Sequence, residues 1–340
     1  MTDADPPIQC ANPECRVADT GKCVEGLEFT ACPNYGRERT DSASSSDTDS
    51  ESAAGIRLRS AEQLDLDAAS EVLRATASRV IAIVGPLEAG KTSLLASLYD
   101  LFQTGKVGDV CFAGSRTLHA FERACHDSRS ASRRAVPIME RTKRGRVQFY
   151  HLDVVAPFLG SKIALLLGDR AREEYRQAAD DITNTDRFSE VKRADTITLL
   201  IDGKRMTEPA DRHNVIAGAA DMLQALIEGG ASRTGQRLAI VLTKVDVVRA
   251  SGHQERVQND FVRLIATLTS RFAATFPVIR PFEVAACPAD TTLPRGTGVA
   301  ALLDYWLQPR AAMAVTPVPQ DGDARMFARL RTHEPMVAGS

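Results

Sequence analysis

The chain has 340 residues, 44% of them hydrophobic and 25% charged, enough apolar material for one large or two modest domains with a real core. A formal net charge of −2 excludes a globally basic nucleic-acid binder, so nucleic acid is not indicated as a partner. No apolar stretch reaches the length of a membrane span or of a signal-peptide core with its basic flank. The expected location is therefore the cytoplasm, where seven cysteines point to metal or free thiols ahead of disulfides.

Four of those cysteines, Cys10, Cys15, Cys23 and Cys32, lie close together among turn formers such as Asn12-Pro13 and Pro33-Asn34. So short a segment has too little apolar content to fold unaided, and a tetrahedral Cys₄ zinc site would supply the missing stability. Residues 1–36 are accordingly read as a zinc-ribbon-like docking module. The competing reading is a cysteine-rich tail without metal. Residues 37–60, with Asp41-Ser42-Ala43-Ser44-Ser45-Ser46-Asp47, are expected to be a disordered acidic linker, because low hydrophobicity with one-signed charge cannot offset the entropy of ordering. Residues 61–77 read as a short helix or a lead-in to the first strand.

Val80 to Val84 is a β-branched apolar run, which favours a buried strand. Gly85-Pro86-Leu87-Glu88-Ala89-Gly90-Lys91-Thr92 then fits G-x-x-x-x-G-K-[ST], the Walker A pattern, and helical spacing follows from Ser93 to about Gln103. Each residue type has a reason. The glycines let successive backbone N–H groups turn inward toward phosphate oxygens, and the helix N-terminus adds more donors. Lys91 can reach the β- and γ-phosphates, and the Thr92 hydroxyl can ligate Mg²⁺. Gly85, Glu88, Ala89, Gly90, Lys91, Thr92 and Ser93 form the candidate phosphate-binding set.

A region without clear periodicity runs to about Arg144. It holds a helix expected over Thr117 to Cys125 and a basic run, Arg129, Arg133, Arg134, Arg141, Lys143, Arg144 and Arg146, read as a solvated face or as one turned to phosphate or an acidic partner. In a nucleotide switch the first mobile loop belongs here, with Thr142 as its Mg²⁺ hydroxyl and Thr117 as the competitor. Arg146 to Val155 and Lys162 to Gly168 read as two strands of a hairpin, the second delivering Asp169 at its carboxyl end, where an acid can hold Mg²⁺ or stand as a plain surface residue. Arg170 to Tyr175 would form a second mobile loop.

Thr196 to Gly203 reads as a third buried strand, Arg212 to Ile227 as a helix, and Arg237 to Thr243 as a strand ending in Thr243-Lys244-Val245-Asp246. A carboxylate accepts two hydrogen bonds side by side, which suits the ring N–H and exocyclic amine of guanine and not adenine. Asp246 is the selectivity residue, the Lys244 stem covers the base, and Thr243 ties this loop toward Gly90. A helix is expected over Gln258 to Phe272 and a last strand over Phe282 to Cys287, with the Ala286 N–H beside the base and Cys287 as a small filler. A final helix ends near Pro309, and residues 310–340 are expected to be largely disordered. Alternating strands and helices mean parallel crossovers, hence an α/β three-layer sandwich with a mostly parallel sheet over residues 61–309.

The ordered set Gly85 to Thr92, Asp169, Thr243 to Asp246 and Ala285 to Cys287 resembles the translation-factor-related (TRAFAC) class of P-loop GTPases. Within it, the Cys10–Cys32 cluster together with Phe112 to Leu118, Leu200 to Gly203 and Leu242 to Asp246 is similar to bacterial double-GTPase proteins. That resemblance implies GTP/GDP and Mg²⁺ binding, hydrolysis of GTP to GDP and phosphate with Lys91 stabilising transition-state charge, and a place in a conflict or anti-phage system beside a second GTPase or a neighbouring-gene product. One departure stands out: the usual D-x-x-G would put glycine at Arg172, and the water-orienting glutamine is absent there, with Glu173 the nearest polar substitute. Hydrolysis is expected to be slow or partner-stimulated. The alternative is a catalytically inactive, nucleotide-bound interaction scaffold.

Overall fold

A computed structural model describes residues 28, 32, 35, 61–86, 88–128, 147–170, 174–175, 187–288 and 292–308. The chain divides into two units, 1–58 and 59–340. In the first, the Tyr35 N–H donates to the Cys32 carbonyl oxygen at 3.3 Å. Cys10, Cys15 and Cys23, the 37–60 linker, the basic run with Thr142, Arg172, Glu173 and the 310–340 tail lie outside the described residues.

The second unit is built on seven strands: β1 (Ser78–Val84), β2 (Cys111–Gly114), β3 (Gln148–Val155), β4 (Ile163–Asp169), β5 (Thr196–Asp202), β6 (Arg237–Thr243) and β7 (Val278–Glu283). They are ordered β2-β3-β4-β1-β5-β6-β7. β4, β1, β5, β6 and β7 run parallel, while β3 is antiparallel to both β4 and β2. β4, β5 and β6 are buried at every position, which is why they read as continuous apolar runs: a strand covered on both faces has no solvent side to alternate with.

The helices make the outer layers. Ile81 and Ile83 of β1 face a core shared with α2 (Lys91–Thr104), α3 (Leu118–Ser128) and the C-terminal α9 (Val299–Leu307). Ala82 and Val84 face the opposite core, formed with α6 (Arg212–Glu228), α8 (Gln254–Phe272) and the short helices α4 (Ser189–Arg193), α5 (Gly203–Thr207) and α7 (Val245–Ala250). α1 (Leu66–Ala75) covers Val80, Phe149 and Leu166 on that second face. Fully buried Trp306 donates its indole N–H to Thr198 Oγ1 at 2.9 Å, fastening α9 to β5.

Several boundaries differ from the sequence reading. The last strand is Val278–Glu283, not Phe282 to Cys287, so Pro281 lies inside it, paired with Ile240. Proline is tolerated there because β7 is an edge strand and its missing N–H leaves no partner unmet. Beyond it, Ala285 bridges Thr297. The edge strand β2 and the helices α4 and α5 are too short to carry a period, and α8 begins four residues before the expected Gln258.

Candidate nucleotide-binding site

The site forms at the carboxyl edge of the parallel strands. β1 ends at Val84 and the chain turns through Gly85 to Gly90, which caps α2 at φ 90°, a left-handed conformation that glycine adopts without steric penalty. Glu88 also takes a positive φ, of 63°, and Ala89 is buried. The Lys91 and Thr92 side chains therefore leave the first turn of α2, Lys91 only 7% exposed.

Two strands away, β6 ends at Thr243. Lys244 adopts a left-handed φ of 54° and turns the chain into α7, which puts Asp246 in that helix's first turn, buried at 6% exposure. The turn is stitched to the segment after β7: the Val284 N–H donates to Leu242 O (2.8 Å) and the Val245 N–H to Val284 O (3.3 Å). Thr243 Oγ1 donates to Ile201 O at 3.1 Å, and a Cβ placed on Gly90 would sit 3.8 Å from Thr243 Cβ. The two loops therefore meet. Gly90 and Ser93 from one, Thr243, Lys244 and Asp246 from the other, and Ala286 and Cys287 line one cavity of about 180 Å³, with Leu94, Val247 and Val284 as apolar walls. Pockets enclosing a whole drug-sized ligand are about 300–1,000 Å³. This cavity is smaller than that and opens between the two loops.

Cys287 donates to Ser93 O at 3.8 Å, and burial, with Asp100 and Asp246 adding to it against Arg295, pushes its thiol above the usual range. It is a neutral filler and not an activated nucleophile.

At the phosphate end, Lys91 Nζ pairs with Asp169 Oδ1 at 2.8 Å and donates to Arg170 O at 2.6 Å. Asp169 is 6% exposed, so it is no plain surface residue. A hydroxyl from Thr92 and a carboxylate from Asp169 are hard oxygen donors, the set Mg²⁺ takes when phosphates and water complete its shell. Thr117 is not available to that ion: it is fully buried, its Oγ1 accepting the His151 N–H (3.0 Å) and donating to His151 O (3.3 Å).

Three pairings escaped the sequence reading. Asp202, 1% exposed at the end of β5, accepts from Lys244 Nζ through Oδ2 (2.8 Å) and from the Lys204 and Arg205 N–H groups through Oδ1, so it orients the lysine of the T-K-x-D loop. A Cβ at Gly203 would overlap the Thr243 carbonyl oxygen, which explains the Asp-Gly pair. Arg170, expected to open a mobile loop, is buried. Its Nε and Nη2 meet Glu190 at 2.6 and 3.0 Å, Nη1 meets Glu174 at 2.5 Å, and the guanidinium stacks 4.9 Å from the Phe188 ring centroid. Tyr175 donates to the same Glu190 at 2.9 Å. Gln63 Nε2 donates to Asp169 Oδ2 at 3.0 Å. The signal for Asp202 was legible as a second apolar strand ending in Asp; nothing in local spacing pairs Arg170 with Glu190 or Gln63 with Asp169.

A phosphate loop and a T-K-x-D loop converging at one edge of a mostly parallel sheet define a P-loop GTPase. The chain belongs to the Double-GTPase 2 family, whose model matches residues 79–307. Among solved structures it is similar to the S. cerevisiae Ski7 GTPase-like domain bound to GTP, at 13% identity and a TM-score of 0.37 over 72% of this chain and 53% of that one, too distant to inform any residue's role. No curated protein matches the sequence.

Proposed function

We propose that this protein is a GTP-binding molecular switch that hydrolyses GTP slowly or under partner stimulation, with Mg²⁺. The observation that carries the reading is the shared cavity: Asp246, buried and suited to guanine's paired donors, lines the same space as Gly90 and Ser93 of the phosphate loop. Thr92 and Asp169 would hold Mg²⁺, which neutralises phosphate charge when bound. Lys91 orients and stabilises phosphate oxygens; a ligand must compete with Asp169 and Arg170 O for its ammonium, and membership of a GTPase family supports that competition being won. Arg172 standing where D-x-x-G has glycine, together with the missing water-orienting glutamine, supports slow intrinsic turnover.

A second GTPase or a neighbouring-gene product as partner rests on the sequence resemblance alone. The Cys₄ zinc module rests on the Cys10, Cys15, Cys23 and Cys32 cluster, and the TRAFAC class and the role in a bacterial conflict or anti-phage system rest on the sequence resemblance. Calorimetry with GTP and ATP in Mg²⁺ tests the core reading: GTP binds and ATP does not. Equal affinities would remove the role of Asp246, and no binding to either would remove the phosphate loop. Single-turnover GTP cleavage, alone and with the neighbouring-gene product, separates the switch from the alternative, a nucleotide-bound scaffold.

A further inference from the structure

Both carboxylate oxygens of Asp169 are engaged, and from different directions. Oδ1 meets the Lys91 ammonium at 2.8 Å, and Oδ2 accepts from Gln63 Nε2 at 3.0 Å. Gln63 precedes β1 and lies outside the residues, 79–307, that match the family.

The placement of Gln63 is built on both sides. Leu64 exchanges two backbone hydrogen bonds with Phe149, at 2.9 and 2.8 Å, which adds the lead-in to the start of β3. The Ala120 N–H donates to Ala61 O at 3.3 Å, and the Glu62 carboxylate faces His119 Nε2 (3.4 Å) and Arg123 Nη2 (3.2 Å) on α3. A half-buried amide is thus carried to Asp169 by backbone already fastened to a strand and a helix. An aspartate's terminal torsion is broad and roughly two-fold, so a carboxylate held at one oxygen only can turn. A donor fixed on Oδ2 removes that freedom and decides which oxygen faces the phosphate loop. Groups that orient a metal-binding carboxylate in this way typically change metal affinity by about 10–100-fold when removed.

We propose that Gln63 is a positioning residue for Asp169: by holding Oδ2 it presents Oδ1 to Lys91 and to the Mg²⁺ that accompanies the nucleotide. The segment before the first strand is then part of the switch and not only a cover for the sheet. This rests on the GTP and Mg²⁺ reading above and adds to it a residue from outside the phosphate-loop core.

The test uses the full chain and a fluorescent GTP analogue, titrated with Mg²⁺ and, separately, in excess EDTA. Gln63→Met keeps the stem length and loses the donor. It is expected to raise the Mg²⁺ concentration for half-maximal nucleotide retention by about tenfold while affinity in EDTA stays within about twofold of wild type. Gln63→Glu, which sets a second carboxylate against Asp169 and carries the test if the Met variant fails to fold, should raise that Mg²⁺ concentration at least as much. An unchanged Mg²⁺ midpoint in both variants, with wild type still binding GTP, overturns the inference and leaves the proposed function standing. Equal loss with and without Mg²⁺ overturns it in favour of a general structural role. Tighter Mg²⁺ binding in Gln63→Glu would put residue 63 within the ion's own shell and also overturn it. A wild-type chain that binds no GTP removes both readings.

Discussion

Asp246→Asn is the sharpest test of the base-reading loop. The substitution is nearly isosteric, and Asp246 is 6% exposed in the first turn of α7, so the fold has little reason to change. What changes is the donor pattern: the carboxylate offers two acceptors to guanine's two N–H groups, whereas the amide keeps one acceptor and turns the other into a donor facing a donor. A hydrogen bond to a charged group contributes about 1.5–3 kcal/mol, and the opposed donors add the cost of an unmet polar group, about 1–3 kcal/mol. The sum is about 2.5–6 kcal/mol, or a fall in GTP affinity of roughly 10²–10⁴-fold. Xanthine carries a carbonyl where guanine carries the amine, so the same amide pairs with it correctly, and affinity for xanthosine triphosphate should rise as GTP affinity falls. Isothermal titration of wild type and variant with GTP, xanthosine triphosphate and ATP reads all three constants. A variant that keeps GTP affinity within about threefold, or that loses GTP without gaining the xanthine nucleotide, refutes the assignment.

Other outcomes follow from the same geometry. Lys91→Ala removes the only ammonium within the phosphate loop and the ion pair it makes with Asp169 Oδ1; nucleotide binding should fall by about a hundredfold or more, and a variant binding within threefold of wild type counts against the loop. Glu190→Ala leaves Arg170 buried without its two-point partner, and unfolding in urea, followed by the fluorescence of Trp306, should show a loss of about 3–5 kcal/mol; under about 1 kcal/mol, the pair is not what anchors this segment. The chain should also lose stability in mild acid through His151. Burial lowers its pKa, Asp153 opposing, and its Nδ1 already accepts the Arg116 N–H at 3.0 Å. With the folded value below the ordinary 6.5, the contribution is fully present above pH 6.5 and is lost as pH falls from there through the folded pKa, because only the unfolded chain takes up the proton. Urea midpoints across that range should drop for wild type and stay flatter for His151→Gln.

How much of the site was legible depended on how locally its parts are specified. The Gly85–Thr92 loop and the Thr243–Asp246 turn are each a strand end, a left-handed turn and a helix start, all set by neighbours in sequence; the strand ends were legible in the pattern, the short helix after Lys244 was not. Asp169 was legible as the end of an apolar strand, though not its pairing with Lys91. β7 was misjudged because proline reads as a strand breaker, whereas its edge place makes the missing donor harmless. Spacing alone leaves Thr117 open to a metal role, and only the fold brings His151, 34 residues away, to occupy its hydroxyl.

The order of residues along this chain determined which chemistries it carries: a run of backbone donors with a lysine and a hydroxyl, a carboxylate after an apolar strand, and a second carboxylate in T-K-x-D. Tertiary structure decided which of them act together. β5 stands between the strands that bear the two loops, and the parallel pairing of β1, β5 and β6 sets their ends at one rim, so Gly90 and Asp246 share a cavity across more than 150 residues of chain. The same folding brought Gln63 to Asp169 and Glu190 to Arg170. A buried charge must find a partner in space, and nothing requires that partner to be near in sequence.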